Sequence, residues 1–75
     1  MKEAIILLQS IEDVKDFNRI VAMYDGDVDL VSGLYVIDAT SSMGIFSLDL
    51  SKPITIQIHG EKPETLLEEL KAFIQ

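Results

Sequence analysis

Cysteine is absent from the 75 residues, which removes disulfide stapling and thiolate metal ligation together. Stability then has to come from packing, for which the hydrophobic content of 48% is ample. Histidine occurs once, at His59, so no second imidazole is at hand to complete a metal site. Proline occurs twice, at Pro53 and Pro63, both at boundaries between periodic segments, and no repeat or linker interrupts the chain. Basic side chains are scarce, 6 against 13 acidic ones. The formal charge of −7 disfavours nucleic acid and anionic membranes, since neither would release counterions to such a surface. The apolar run Ala4 to Leu8 is too short for a membrane span or a signal-peptide core, and a cytoplasmic protein is expected. A glycine-rich phosphate loop, a nucleophile elbow and a base-oriented serine are all missing. Neither an enzyme active site nor a cofactor is expected, and catalytic and metal residues are none.

What is present reads as one domain over residues 1–75, burying about 60 to 65 per cent of its unfolded surface. Glu3 to Gln9 contains "AIILL", a continuous β-favouring run that predicts a strand buried on both faces. Ser10 then caps a helix whose first turn holds Glu12 and Asp13. Its apolar stripe runs through Ile11, Val14, Phe17 and Val21, with Tyr24 as a further candidate just past the helix, which is expected to end near Met23. Asp27 to Asp38 alternates on either side of Ser32 and Gly33, the pattern of a hairpin. After Pro53, Ile54, Ile56 and Ile58 point one way and Thr55, Gln57 and His59 the other, so one sheet face is wet and His59 is expected at the surface. Pro63 starts a last helix with Leu66, Leu67, Leu70, Phe73 and Ile74 at helical spacing.

The segment "SSMGIFSLDL", Ser41 to Leu50, fits neither template well. As a strand it would carry Gly44 inside and apolar residues on both faces; as a helix, Met43, Ile45, Phe46, Leu48 and Leu50 would nearly encircle it. Either way some apolar surface faces water, which often marks a docking site. Taken as a short second helix, the segment completes the order β-α-β-β-α-β-α.

"YDGDVDL" followed by "ATSSMGIFSL", within Tyr24 to Leu48, resembles the HPr family, the histidine-containing phosphocarriers of the bacterial phosphoenolpyruvate:sugar phosphotransferase system. In that family K-S-I-M-G-V-M-S-L follows a D-V-x-L strand and its hairpin, and residues 40–48 stand in its place. The resemblance implies an α+β open-faced sandwich: a four-stranded antiparallel sheet in the order 1-4-2-3, one face covered by three helices. It further implies a phosphoryl-accepting histidine in a G-[IL]-H-A-R-P signature at the first helix start. Counted back from Tyr24, H-A-R-P falls on Ser10, Ile11, Glu12 and Asp13, so Ser10 marks the position of the missing phosphohistidine. Like charges a few ångströms apart repel by roughly 1 to 4 kcal/mol, enough for the two carboxylates to cancel what the helix dipole offers a phosphoryl group.

In Gram-positive members of the family the serine opening the second helix is a regulatory phosphorylation site, and the apolar residues after it dock partners. The resemblance therefore makes Ser41 the regulatory phosphorylation candidate and Met43 and Phe46 the partner-docking positions, with Ile45 and Leu48 turned inward. Ser42 departs from the family's bulky apolar residue. The competing expectation is that Ser41 only caps the helix and Met43 and Phe46 complete the core. The expected function is a non-catalytic HPr-like regulatory module, a monomer or weak oligomer, with phosphotransferase-system or carbon-regulation proteins as partners. The alternatives are a divergent phosphocarrier using Ser10 or His59 as acceptor, or an assembly partner of an unrelated system.

Overall fold

Alternation along one strand organises the molecule. In a computed structural model describing residues 1–75, β4 (Ile54–Ile58) buries all three of its isoleucines and leaves Thr55 and Gln57 on the opposite face. β4 lies inside an antiparallel sheet, between β1 (Lys2–Ile6) and β2 (Val28–Ser32), with β3 (Tyr35–Asp38) beyond β2. The order is β1-β4-β2-β3. Ile6 stands opposite Ile54, Ala4 and Leu30 flank Ile56, and Val28 faces Ile58, so the register gathers the apolar side chains on one face. That face packs against α1 (Ile11–Ala22), α2 (Ser42–Phe46) and α3 (Pro63–Glu69) in a core of 15 buried residues, none of them polar. The architecture is the expected α+β open-faced sandwich. No helix is long and apolar enough to cross a membrane.

β1 differs from the expected doubly buried strand. It ends at Ile6 rather than Gln9, and Ile5 is 50% exposed on the open face. Helices cover only one side of the sheet, so an apolar run cannot be buried on both sides of an edge strand. Leu7 and Leu8 belong to the turn into α1, where Leu8 alone is fully buried. The outer edge of β1 is closed by the chain's last residues: the Leu7 N–H donates to Phe73 O at 2.8 Å, and the Gln75 N–H donates to Ile5 O at 2.9 Å.

α1 starts at its Ser10 cap and buries Val14, Phe17 and Val21 as its stripe requires, but Ile11 is 61% exposed. Ile11 is the first helical residue after the cap and lines a surface groove with Leu7, Phe46 and Leu50 instead of entering the core. α3 is shorter than its apolar spacing predicts. Leu66 and Leu70 fill the core, and the helix stops at Glu69. Phe73 and Ile74 contribute from beyond it, Phe73 edge-on to Phe17 with ring centroids 6.4 Å apart and Ile74 bridged to Ile6. In the hairpin Ser32 pairs with Tyr35, so the central turn residues are Gly33 and Leu34, one position later than expected. Gly33 takes φ +60°, as the first central residue of a type II′ turn must.

Candidate functional site

Two serine-capped helix starts, and a groove from the first of them to the end of the second helix, form the candidate site. At α1 the Ser10 hydroxyl accepts the Asp13 N–H at 3.1 Å, and the Asp13 carboxylate accepts the Gln9 N–H at 2.9 Å. This is a variant of the capping box, with the carboxylate reaching one residue further back. The helix start thus has partners from its own chain, and Glu12 and Asp13 add negative charge in the first turn, where the dipole favours it. No imidazole, lysine or arginine occurs from Leu7 to Val14. A dianionic group there would meet two carboxylates and no cation within that stretch.

At α2 the Ser41 hydroxyl accepts the Gly44 N–H at 3.2 Å, and the first turn is uncharged. Matching turns bracket this helix. Before it, Asp38 Oδ1 accepts the Thr40 N–H at 2.9 Å and the Thr40 hydroxyl at 2.8 Å. After it, Asp49 Oδ1 accepts the Ser51 N–H at 3.1 Å and the Ser51 hydroxyl at 2.5 Å. Both carboxyls are held below the usual aspartate range, Asp38 mainly by the Thr40 N–H and Asp49 mainly by the Ser51 hydroxyl. Gly44 lets α2 lie against β3: a Cβ at this position would come within 2.5 Å of the Ile37 Cγ2 methyl.

Ile45 and Leu48 turn inward, while Met43 is 85% and Phe46 48% exposed. Met43 and Phe46 therefore do not complete the core. Phe46 shares with Leu7, Ile11 and Leu50 a shallow groove of about 520 Å³, whose lining also includes Ser10. The fold thus brings Ser10 and Phe46, 36 positions apart in the sequence, to one depression. Ile11 belongs to this surface, although its spacing in α1 assigned it to the core. The available signal was its place next to the cap and just ahead of two carboxylates. His59 lies elsewhere, on the open sheet face, with Nε2 3.2 Å from Asp29 Oδ2. With no nucleophile–base pair in the groove, its chemistry is that of a largely apolar contact surface between the capped start of α1 and the end of α2.

Solved structures share the whole architecture. The crystal structure of HPr-C-His from Thermoanaerobacter tengcongensis superposes with a TM-score of 0.82, covering 96% of this chain and 89% of that one at 20% sequence identity. The phosphocarrier protein HPr from Bacillus anthracis str. Ames superposes with a TM-score of 0.77, covering 99% of this chain and 96% of that one at 23% identity. No protein-family model and no curated protein matches the chain. The fold is therefore HPr-like along nearly the full length, the class that the sheet order and helix placement define.

Proposed function

We propose that this protein is a non-catalytic HPr-like interaction module related to the sugar phosphotransferase system. It is a single cytoplasmic domain, residues 1–75, that docks protein partners through Met43 and Phe46, with Ile11 extending the patch. The carrying observation is the α1 start. Ser10 stands at the helix cap with its hydroxyl engaged by the Asp13 N–H, beside Glu12 and Asp13. A phosphoryl carrier needs an acceptor with cationic support, and this helix start supplies carboxylates instead. Exposed Met43, Phe46 and Ile11 supply apolar surface of the kind that contacts partners. Ser41, capping the uncharged turn beside Met43, is the proposed regulatory phosphorylation site, and the proposed partners are phosphotransferase-system or carbon-regulation proteins.

Two measurements test this reading. Intact mass after incubation with phosphoenolpyruvate and the general enzyme of the sugar system should be unchanged. An acid-labile gain of one phosphoryl group would overturn the non-catalytic assignment, and its position at His59 or elsewhere would identify a divergent carrier. Separately, Met43→Asp and Phe46→Asp should keep native circular dichroism and cooperative melting while losing binding to the phosphotransferase-system or carbon-regulation protein that the wild type captures. Unchanged binding in both variants would remove the docking role from this patch.

A further inference from the structure

The uncovered sheet face carries two rows that run across all four strands. Ile5, Thr55, Val31 and Val36 stand in register from β1 through β4 and β2 to β3. One step along the same face, Glu3, Gln57, Asp29 and Asp38 stand in register in the same strand order. Ile5 is 50% and Val36 65% exposed, and Val31 and Thr55 are half-buried between them. A solvated sheet face ordinarily presents polar residues. Here one row is apolar except for Thr55, and its neighbour holds three carboxylates. Gln57 donates to Glu3 Oε2 at 2.9 Å, and His59 lies against Asp29, so the second row is ordered as well as acidic.

The basic residues are all elsewhere. Lys15 and Arg19 are on α1, Lys52 precedes β4, Lys62 and Lys71 flank α3, and Lys2 stands in register with Ile58 on the covered face. Apart from His59, which lies against Asp29, the open face therefore has only acidic charged side chains beside an apolar row. A second copy of the chain could match apolar row to apolar row only by bringing acidic row against acidic row, and membranes and nucleic acids share that sign. We infer that this face is a docking surface for an amphipathic helix of a partner protein, with an apolar stripe flanked on one side by lysine or arginine. The dimensions suit such a helix. Three strand spacings make the apolar row about 14 Å long, and the two rows are about 7 Å apart. Between two and three helical turns of about 5.4 Å span that length, and the flank of a helix about 10 Å across overlies the acidic row.

This surface is on the opposite side of the sheet from the helices and does not depend on the role of Met43 and Phe46. The probe is a synthetic three-turn amphipathic peptide with a leucine stripe flanked by lysines, titrated into the ¹⁵N-labelled full chain. A second peptide has glutamates in place of the lysines. Amide shifts should be confined to the strands around Ile5, Asp29, Val31, Val36 and Gln57, and the glutamate peptide should bind at least tenfold more weakly. Val36→Lys, and separately the pair Glu3→Gln with Asp29→Asn, should each weaken the lysine peptide at least tenfold with the melting transition retained. The pair Glu68→Gln with Glu69→Gln, which removes the same charge from α3, should change binding by less than twofold. Shifts centred on Ile11, Met43 and Phe46, equal losses in the α3 pair, equal binding of both peptides, or no binding would each overturn the inference.

Discussion

α1 and α2 open with the same device and use it differently. Each begins on a serine whose hydroxyl accepts the N–H three residues on, at 3.1 Å for Ser10 and 3.2 Å for Ser41. α1 then continues for 12 residues, buries Val14, Phe17 and Val21, and fills its first turn with carboxylates. α2 continues for five, buries Ile45 alone, and has an uncharged first turn and two exposed apolar side chains. A helix with three buried anchors can give up its start without coming loose. One with a single anchor must be held by its flanks, and the Asp38 and Asp49 turns do this for α2. The difference places most of the buried anchorage in α1 and the exposed apolar side chains in α2, and substitutions in the two helices should separate stability from the docking role proposed for α2.

The largest effect should come from the anchors of α1. Phe17 is fully buried and meets Phe73 edge-on. Phe17→Ala should cost about 3 to 5 kcal/mol in denaturant unfolding, a large part of the total for a domain this small. A loss below about 1 kcal/mol would mean that α1 is not the main support of the helical layer. Gly44→Ala comes next. A new Cβ there meets the Ile37 methyl, and β-branched Ile37 has little rotamer freedom with which to retreat. Overpacking of about 1 to 3 kcal/mol then opposes about 1 kcal/mol of improved helix propensity, so net destabilisation near 1 kcal/mol is expected. A more stable variant would show that α2 can lift from β3 at no cost.

The caps give a smaller, paired comparison. Cap removal costs about 0.5 to 2 kcal/mol, and Ser10→Ala should fall near the middle of that range because Ser10 starts the main helix and adjoins the Asp13–Gln9 bond. Ser41→Ala should fall near the bottom, with faster amide exchange confined to α2. Equal global losses would mean that both helices unfold as one unit with the core and that the division of roles is wrong.

β4 made the two faces of the sheet legible in the sequence, because strict alternation of Ile54, Ile56 and Ile58 with Thr55, Gln57 and His59 leaves only one choice of buried face for a half-buried strand. The Ser10 cap with its acidic first turn was equally plain, and some exposed apolar surface followed from a segment too apolar to be buried on every side, but only the family resemblance singled out Met43 and Phe46, against a competing expectation that both complete the core. The misses have a shared cause. Ile11 and Leu7 look like core residues by type and spacing, and only the tertiary arrangement shows that the β1–α1 turn and α2 meet at a groove instead of closing over it. Phe73 and Ile74 keep helical spacing although the chain leaves the helix at Glu69; their N–H groups bond back to Leu70 O and Lys71 O in a turn, while Phe73 O and the Gln75 N–H bond to the β1 edge. The two rows on the open face needed the pairing register, which no local pattern contains.

The smallest expected effect is a response of α2 to acid. Asp38 and Asp49 bracket the helix, and their hydrogen bonds hold both folded pKa values below the ordinary aspartate value of about 3.9. For a carboxyl lowered on folding, the linked stability is complete above the unfolded pKa and is lost as pH falls through the folded one. Neutral pH therefore has the full contribution, and the loss begins only below about pH 4. Both carboxyls are exposed, so solvent weakens the effect, and it should appear as local loosening and not as global unfolding. Lowering the pH from 5 to 3 should reduce amide protection at Gly44 and Ile45 while protection at Phe17 and Val21 in α1 changes little. Asp38→Asn and Asp49→Asn should loosen α2 at pH 5 and remove most of its remaining acid response. Equal loss of protection in α1 and α2 would show that acid acts on the whole core, and that the turns around α2 are not what hold Met43 and Phe46 in place.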